Sequence, residues 1–295
     1  MPREPGTTVT ALTAPFAGFP ADPRANPRIR VVDNTFSEPR AAGPPGPPAR
    51  LPPVSELSRS RGPRPAVVVA LPGTGSDADF ARRAFEPACA AMDLPFIAVE
   101  PQPRAVVASC RAALDEAARS GPVLAAGISL GAAIAVDWAA AHPESAFGVV
   151  AALPAWTGSD ITGCPAALSA ASTAAQLRAD GLEPVIERMR AGSPAWLGRA
   201  LTQSWRTHWP DLPAALEEAA TYAWPDTELL AALRVPATVV AAVDDPVHPP
   251  AIAEQWAQLI PRARLHRITL DELGADPGIL GARGIPDLIS PRLRA

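Results

Sequence analysis

An α/β domain, with a mostly parallel central sheet flanked by helices, is the fold class this sequence predicts. Three observations predict it. Continuous apolar runs recur along the chain: PAVVVAL at 65–71, FGVVAAL at 147–153 and PATVVAAV at 236–243. Runs without polar alternation suit parallel strands buried on both faces. Stretches of helical length, many of them Ala-rich, separate these runs, and alternating strands and helices imply a parallel sheet with right-handed crossovers. The third observation is Gly127-Ile128-Ser129-Leu130-Gly131, which follows the apolar run Val123–Ala126 and opens an Ala-rich, helix-compatible stretch. A serine between two glycines at a strand–helix junction is the setting in which G-x-S-x-G has chemical meaning: a tight, strained turn projects the hydroxyl into a cleft. A Cβ at either glycine would collide with the neighbouring strand or helix.

The elements follow in order. Residues 1–27, rich in Pro, Ala and Thr, are expected to form a flexible N-terminal arm. Arg28–Phe36 has enough β-branched residues for a strand, and the Pro-rich stretch 41–53 reads as an extended surface connection. The core is expected over 28–154 and 232–295. Pro65–Leu71 is its first long buried strand. Pro72–Asp77 breaks it, and Ser76 or Asp77 is placed to N-cap a helix reaching Ala90. A strand at Leu94–Val99 and a helix over Gln102–Arg119 come next, then the strand and helix around Ser129, ended by His142-Pro143. After the strand Phe147–Leu153 the alternation stops. Residues 155–231 hold helical pieces broken by prolines and five of the seven tryptophans: Trp156, Trp196, Trp205, Trp209 and Trp224. This segment reads as an inserted helical cap. The rhythm resumes with a strand at Pro236–Val243, a helix at Ala251–Leu259 and a strand at Ala263–Leu270.

Composition bounds the function. The net charge is −4, and no basic cluster occurs, so nucleic-acid binding is not expected. Lysine is absent, and the dominance of Ala, Arg and Pro reflects codon usage in a GC-rich genome. The N-terminus lacks the apolar core of a signal peptide. No run reaches the length of a membrane span, and a cytoplasmic protein is expected. Cys89, Cys110 and Cys164 are widely spaced and expected to be reduced, mostly buried thiols. No cluster has zinc-ligand spacing, and no Gly-rich loop matches a phosphate or dinucleotide fingerprint, so neither metal nor cofactor is expected. The sequence leaves the oligomeric state open.

Three ordered landmarks resemble the α/β-hydrolase superfamily over about residues 64–270: Leu71-Pro72-Gly73-Thr74-Gly75, Gly127-Ile128-Ser129-Leu130-Gly131 and Val243-Asp244-Asp245-Pro246. The resemblance implies Ser129 as nucleophile and Asp245 as the acid after a late strand. Asp244 is then a capping or surface carboxylate. It also implies that the backbone N–H groups of Thr74 and Leu130 form an oxyanion hole, each donating over roughly 2.7–3.1 Å. Many relatives carry His-Gly where this chain has Pro72-Gly73; the donor is backbone, so the substitution leaves it available. A second departure concerns the base. The family's histidine lies in the loop after the last strand, yet that loop, expected here at Asp271–Asp276, contains none and no histidine lies beyond His266.

Four histidines remain to be weighed. His142 is placed to cap a helix C-terminus. His266 lies mid-strand, too early for the usual site. His208 belongs to the cap and is either a packed surface residue or part of a pocket. His248 follows Asp245 by three residues in Asp-Pro-Val-His-Pro, and a D-x-x-H turn can present carboxylate and imidazole on one loop. Serine esterases of an unrelated flat α/β/α fold use that spacing. His248 is therefore the candidate base, with Asp245 fixing its tautomer, the other reading being a residue that rims the pocket.

The cap aromatics, Trp156, Trp205 and Trp209 with His208, are candidate lining for an apolar substrate pocket. The expected function is a serine hydrolase cleaving a small-molecule ester or thioester with an apolar group. Two alternatives stay open: a catalytically weak or inactive hydrolase fold that binds an apolar ligand or partner, and non-hydrolytic chemistry in the same cleft, such as a lyase or cofactor-free oxidation.

Overall fold

The computed structural model describes residues 64–289. The expected arm at 1–27, strand at 28–36 and Pro-rich connection at 41–53 lie outside the described residues. The strands are β1 (Val67–Leu71), β2 (Phe96–Ala98), β3 (Val123–Ile128), β4 (Ala146–Ala152), β5 (Ala237–Ala242) and β6 (Ala263–Ile268). Between and after them run α1 (Ala78–Ala91), α2 (Val106–Ala118) and α3 (Leu130–Ala141). Five more helices separate β4 from β5: α4 (Pro165–Asp180), α5 (Leu182–Ala191), α6 (Ala195–His208), α7 (Leu212–Ala220) and α8 (Thr227–Ala232). α9 (Pro250–Leu259) joins β5 to β6, and α10 (Leu270–Ala275), α11 (Ile279–Gly284) and α12 (Pro286–Ile289) follow.

The strands form one parallel sheet in the order β2-β1-β3-β4-β5-β6. Successive side chains enter opposite apolar layers. Val67, Val69 and Leu71 join Val123 and Ala125 in one layer, while Val68 and Ala70 join Leu124 and Ala126 in the other. Helices cover both layers, so neither parity of the central strands can be polar. The first layer takes α2, α3 and α9 and the second takes α1 and the helices after β6.

The chain runs outward from β1 to β2, then returns to place β3 on the other side of β1. The loops after β1 and β3 accordingly lead to helices on opposite faces, which opens a crevice beyond the carboxyl ends of these two strands. Ser129 and Gly73-Thr74 both lie there.

Local sequence explains some boundaries and distant sequence explains others. Asp77 N-caps α1, its Oδ1 accepting from the Phe80 N–H at 2.9 Å. α2 begins at Val106, four residues later than the sequence predicts, and Ala105 has no side chain to cap it. The cap comes from Glu218 of α7, whose carboxylate accepts from the N–H groups of Val106 at 2.7 Å and Val107 at 3.2 Å. The segment expected as a loop at Asp271–Asp276 is helical. A reciprocal capping box between Thr269 and Glu272 starts α10, and Asp244 Oδ1 accepts from the Leu270 N–H at 2.8 Å.

Polar anchors fix the five inserted helices to the sheet's own helices and loops. Besides Glu218, Tyr222 O–H donates to the Asp137 carboxylate of α3. Arg104 pairs with Asp211 at 2.7 Å. Ser204 Oγ donates to the Gly75 carbonyl at 2.7 Å. Burial pushes the Asp137 carboxyl up, with the Tyr222 hydrogen bond as the main opposing influence.

Glu218→Ala would leave two amides at the start of α2 without their carboxylate. Losing such a cap costs about 1–2 kcal/mol. For a domain of this size the melting temperature should fall by roughly 2–8 °C, and Glu218→Gln, which keeps one acceptor, should fall less. Thermal unfolding followed by circular dichroism checks both.

Candidate active site

Ser129 sits between β3 and α3 with φ 54° and ψ −115°. A non-glycine residue held at positive φ costs about 1–3 kcal/mol, so the surroundings must fix it. They do so from both sides: Ser129 N–H donates to the Ala152 carbonyl at 2.9 Å, and its own carbonyl accepts from Ala132 at 2.9 Å and Ala133 at 3.2 Å. The flanking glycines permit the sharp reversal. A Cβ on Gly127 would lie 2.1 Å from the Gly131 carbonyl oxygen, and one on Gly131 would lie 2.5 Å from that of Leu71. Serine is among the best N-caps, yet Ser129 at the head of α3 makes no side-chain capping bond. Its hydroxyl points elsewhere.

Its partner is His248, whose Nε2 lies 2.9 Å from Ser129 Oγ. The other ring nitrogen, Nδ1, lies 2.8 Å from Asp245 Oδ2. Asp245 Oδ1 accepts from the N–H groups of Val247 at 2.8 Å and His248 at 3.1 Å. The carboxylate thus closes an Asx turn on its own loop while holding the imidazole of that loop. Pro246 and Pro249 restrict the backbone inside it, and Pro250 opens α9. Burial raises the Asp245 carboxyl, but the His248 charge and hydrogen bond, with the two amides, outweigh it and hold the group down to about 2. An ionised carboxylate only accepts, so Nδ1 carries the proton and Nε2 presents its lone pair to the serine hydroxyl. Ser129 is 6% exposed.

The loop after β1 lies against this turn. A Cβ on Gly73 would be 3.3 Å from the Ile128 carbonyl oxygen and 3.5 Å from Ser129 Cβ. Ser76 N–H closes the loop onto the Gly73 carbonyl at 3.0 Å. Among the described residues, the N–H groups of Thr74 and Leu130 have no protein acceptor. Leu130 N–H belongs to the first turn of α3, where the helix dipole adds positive potential.

The remaining candidates are placed as follows. His142 is the C-cap of α3, its Nδ1 2.9 Å from the Trp138 carbonyl and its ring stacked on Trp138. His266 lies on β6 and pairs with Asp287 at 2.8 Å. Asp244 is exposed and caps α10. His208, weighed as a surface residue or pocket lining, is buried with 6% exposure and meets Glu100 Oε1 at 2.8 Å through Nε2. Glu100, at the end of the β2 segment, went unnoticed in the sequence; a carboxylate at the carboxyl end of a parallel strand is the signal that marks it. Trp205 is 3% exposed and packs beside Gly75. Trp156 N–H donates to the Asp160 carbonyl at 2.7 Å. Trp209, the C-cap of α6, is 38% exposed. All three cysteines are free and buried, and burial pushes Cys89 and Cys110 up to about 12. Among the described residues no cluster of three or more His, Cys, Asp or Glu is placed to hold a metal ion, and no helix is long and apolar enough to cross a membrane.

No protein-family model and no curated protein matches the chain. Solved structures match it in fold. A thermophilic esterase from Thermogutta terrifontis superposes with a TM-score of 0.54 at 20% identity, over 68% of this chain and 80% of that one. The enol-lactonase from Burkholderia xenovorans LB400 gives 0.55 at 15% identity, over 71% and 85%. MenH from S. aureus gives 0.55 at 15% identity, over 72% and 92%.

The lowered Asp245 group makes a stability prediction. A carboxyl held near 2 against an ordinary 3.8 contributes fully above the ordinary value, and its contribution is lost as pH falls from 3.8 through 2. That contribution is about 2 kcal/mol. Urea unfolding of wild type and Asp245→Asn should differ by about this amount near neutrality, and the difference should close across that acid window.

Proposed function

This chain has the α/β-hydrolase fold, and from that premise we propose that it is a serine hydrolase acting on a small-molecule ester or thioester with an apolar group. The observation that carries the reading is the continuous line of contacts from Asp245 Oδ2 to His248 Nδ1 and from His248 Nε2 to Ser129 Oγ, at 2.8 and 2.9 Å. A base must come within about 3.2 Å of the proton it removes.

In the proposed mechanism His248 Nε2 takes the Ser129 hydroxyl proton as Oγ attacks the substrate carbonyl carbon. Asp245 holds the ring in the required tautomer and stabilises the imidazolium that forms. The carbonyl oxygen becomes an oxyanion facing the N–H groups of Thr74 and Leu130; losing one such donor costs about 3 kcal/mol of barrier. His248 then protonates the departing alcohol or thiol, leaving Ser129 acylated. A water deprotonated by the same imidazole attacks the acyl carbon, and the proton returns to Ser129 Oγ as the acid departs. The five inserted helices, anchored at Gly75, Glu100 and α2, act as the cap, and their aromatic side chains supply apolar surface to the substrate. In this reading His248, with Nε2 2.9 Å from Ser129 Oγ, takes the part of the family's late histidine.

Labelling by a fluorophosphonate tests this reading. Wild type should label at a rate that Ser129→Ala abolishes, and His248→Ala should lower ester kcat/KM by about a thousandfold or more. A folded wild type that neither labels nor turns over aryl esters or thioesters would leave a ligand-binding shell. Unchanged turnover in His248→Ala would remove His248 from the mechanism.

A further inference from the structure

α6 carries two polar atoms that the proposed reaction does not use. Trp205 Nε1 and His208 Nδ1 are buried and have no hydrogen-bond partner among the described residues. The two residues are 3% and 6% exposed. They are three positions apart on one helix, which sets them on the same face. That face is docked beside the site. Ser204 of the same turn donates to the Gly75 carbonyl at 2.7 Å, and a Cβ on Gly75 would lie 3.1 Å from Trp205 Nε1. Gly75 follows Thr74, and Gly73 on the other side of Thr74 abuts Ser129. The oxyanion loop thus lies between the serine and the indole.

Indole Nε1–H can only donate. His208 Nε2 faces Glu100 Oε1 at 2.8 Å, and Glu100 Oε2 accepts from the Ala78 N–H at 2.9 Å. Burial raises the Glu100 carboxyl, but the bonds from His208 and Ala78, with the charges of His208 and Arg82, outweigh it, so the group is lowered and ionised. His208 Nε2 therefore donates to it, and Nδ1 is the ring nitrogen left without a partner. The unpaired indole donor and the unpaired imidazole nitrogen lie on one face of α6, and a hydroxyl complements both, since it can accept from the indole and either donate to or accept from the imidazole.

We infer that Trp205 and His208 form a polar subsite beside the oxyanion loop for a hydroxyl on the substrate's acyl chain, the hydroxyl accepting from the indole N–H and pairing with imidazole Nδ1. The subsite refines the substrate class of the proposed hydrolase and rests on Ser129 being its nucleophile. A substrate that is apolar throughout leaves both atoms unpaired; a hydroxylated one satisfies both.

The test uses p-nitrophenyl esters of C4 to C8 alkanoic acids carrying one hydroxyl at successive positions, each paired with the analogue bearing methyl there. One hydroxyl position should give a kcat/KM at least roughly tenfold above its methyl partner in wild type, the factor expected for one well-made hydrogen bond. Trp205→Phe keeps the aromatic ring and removes the N–H. His208→Gln keeps a donor to Glu100 and removes Nδ1. Each variant should bring the hydroxyl-to-methyl ratio towards one, and because the ratio is taken within one protein, a general loss of activity cancels. Equal turnover of both esters at every position, or a ratio that survives both variants, would overturn the subsite while leaving the hydrolase intact, with ordered water satisfying the two atoms. If wild type turns over neither ester, the hydrolase reading has failed. The same ester pairs are then compared by thermal shift, where preferential stabilisation by a hydroxylated ester sustains the subsite and equal shifts reject it.

Discussion

The structure depends on how closely the first turn of α3 approaches β1 and β3. With glycine at 127 and 131, backbone packs on backbone where any other residue would place a Cβ 2.1–2.5 Å from a carbonyl oxygen. That contact forces the chain to reverse within one residue, and the reversal sets Ser129 at positive φ. The strain is held by strand pairing on one side and by helix hydrogen bonds on the other. A hydroxyl that would ordinarily cap its helix is turned out instead to meet an imidazole. Apolar burial on both sides of β3 makes the platform rigid enough to hold this arrangement.

Around that platform, the inserted helices and the sheet are joined by polar contacts of long sequence separation. Glu218 completes α2, Ser204 holds Gly75, and Glu100 joins the start of α1 to the end of α6. Each contact satisfies a backbone group or buried ring that its own neighbourhood leaves open. The Gly73–Gly75 loop is consequently held by α6 on one side and by the turn at Ser129 on the other.

The sheet was legible because burial on both faces leaves a direct mark: unbroken apolar runs at β1, β3, β4 and β5. The elbow was legible because its steric demand can be met only by small residues at fixed positions. The Asp245–His248 contact was legible because both residues lie in one five-residue turn, so spacing alone brings them together. The start of α2 was not, since its cap lies 112 residues away on α7. The pairing of Glu100 with His208 was hidden for the same reason, spanning 108 residues. The segment after β6 was misread as a loop because a helix of six residues shows too little periodicity, although Thr269 and Glu272 have the capping-box spacing.

Placing carboxylate and imidazole on a single proline-stiffened turn changes the alignment problem. Three groups borne on three separate loops must keep two independent registrations as the molecule breathes. Here the Asp245–His248 unit travels as one piece, and a single gap, from ring to hydroxyl, is left to maintain between two segments.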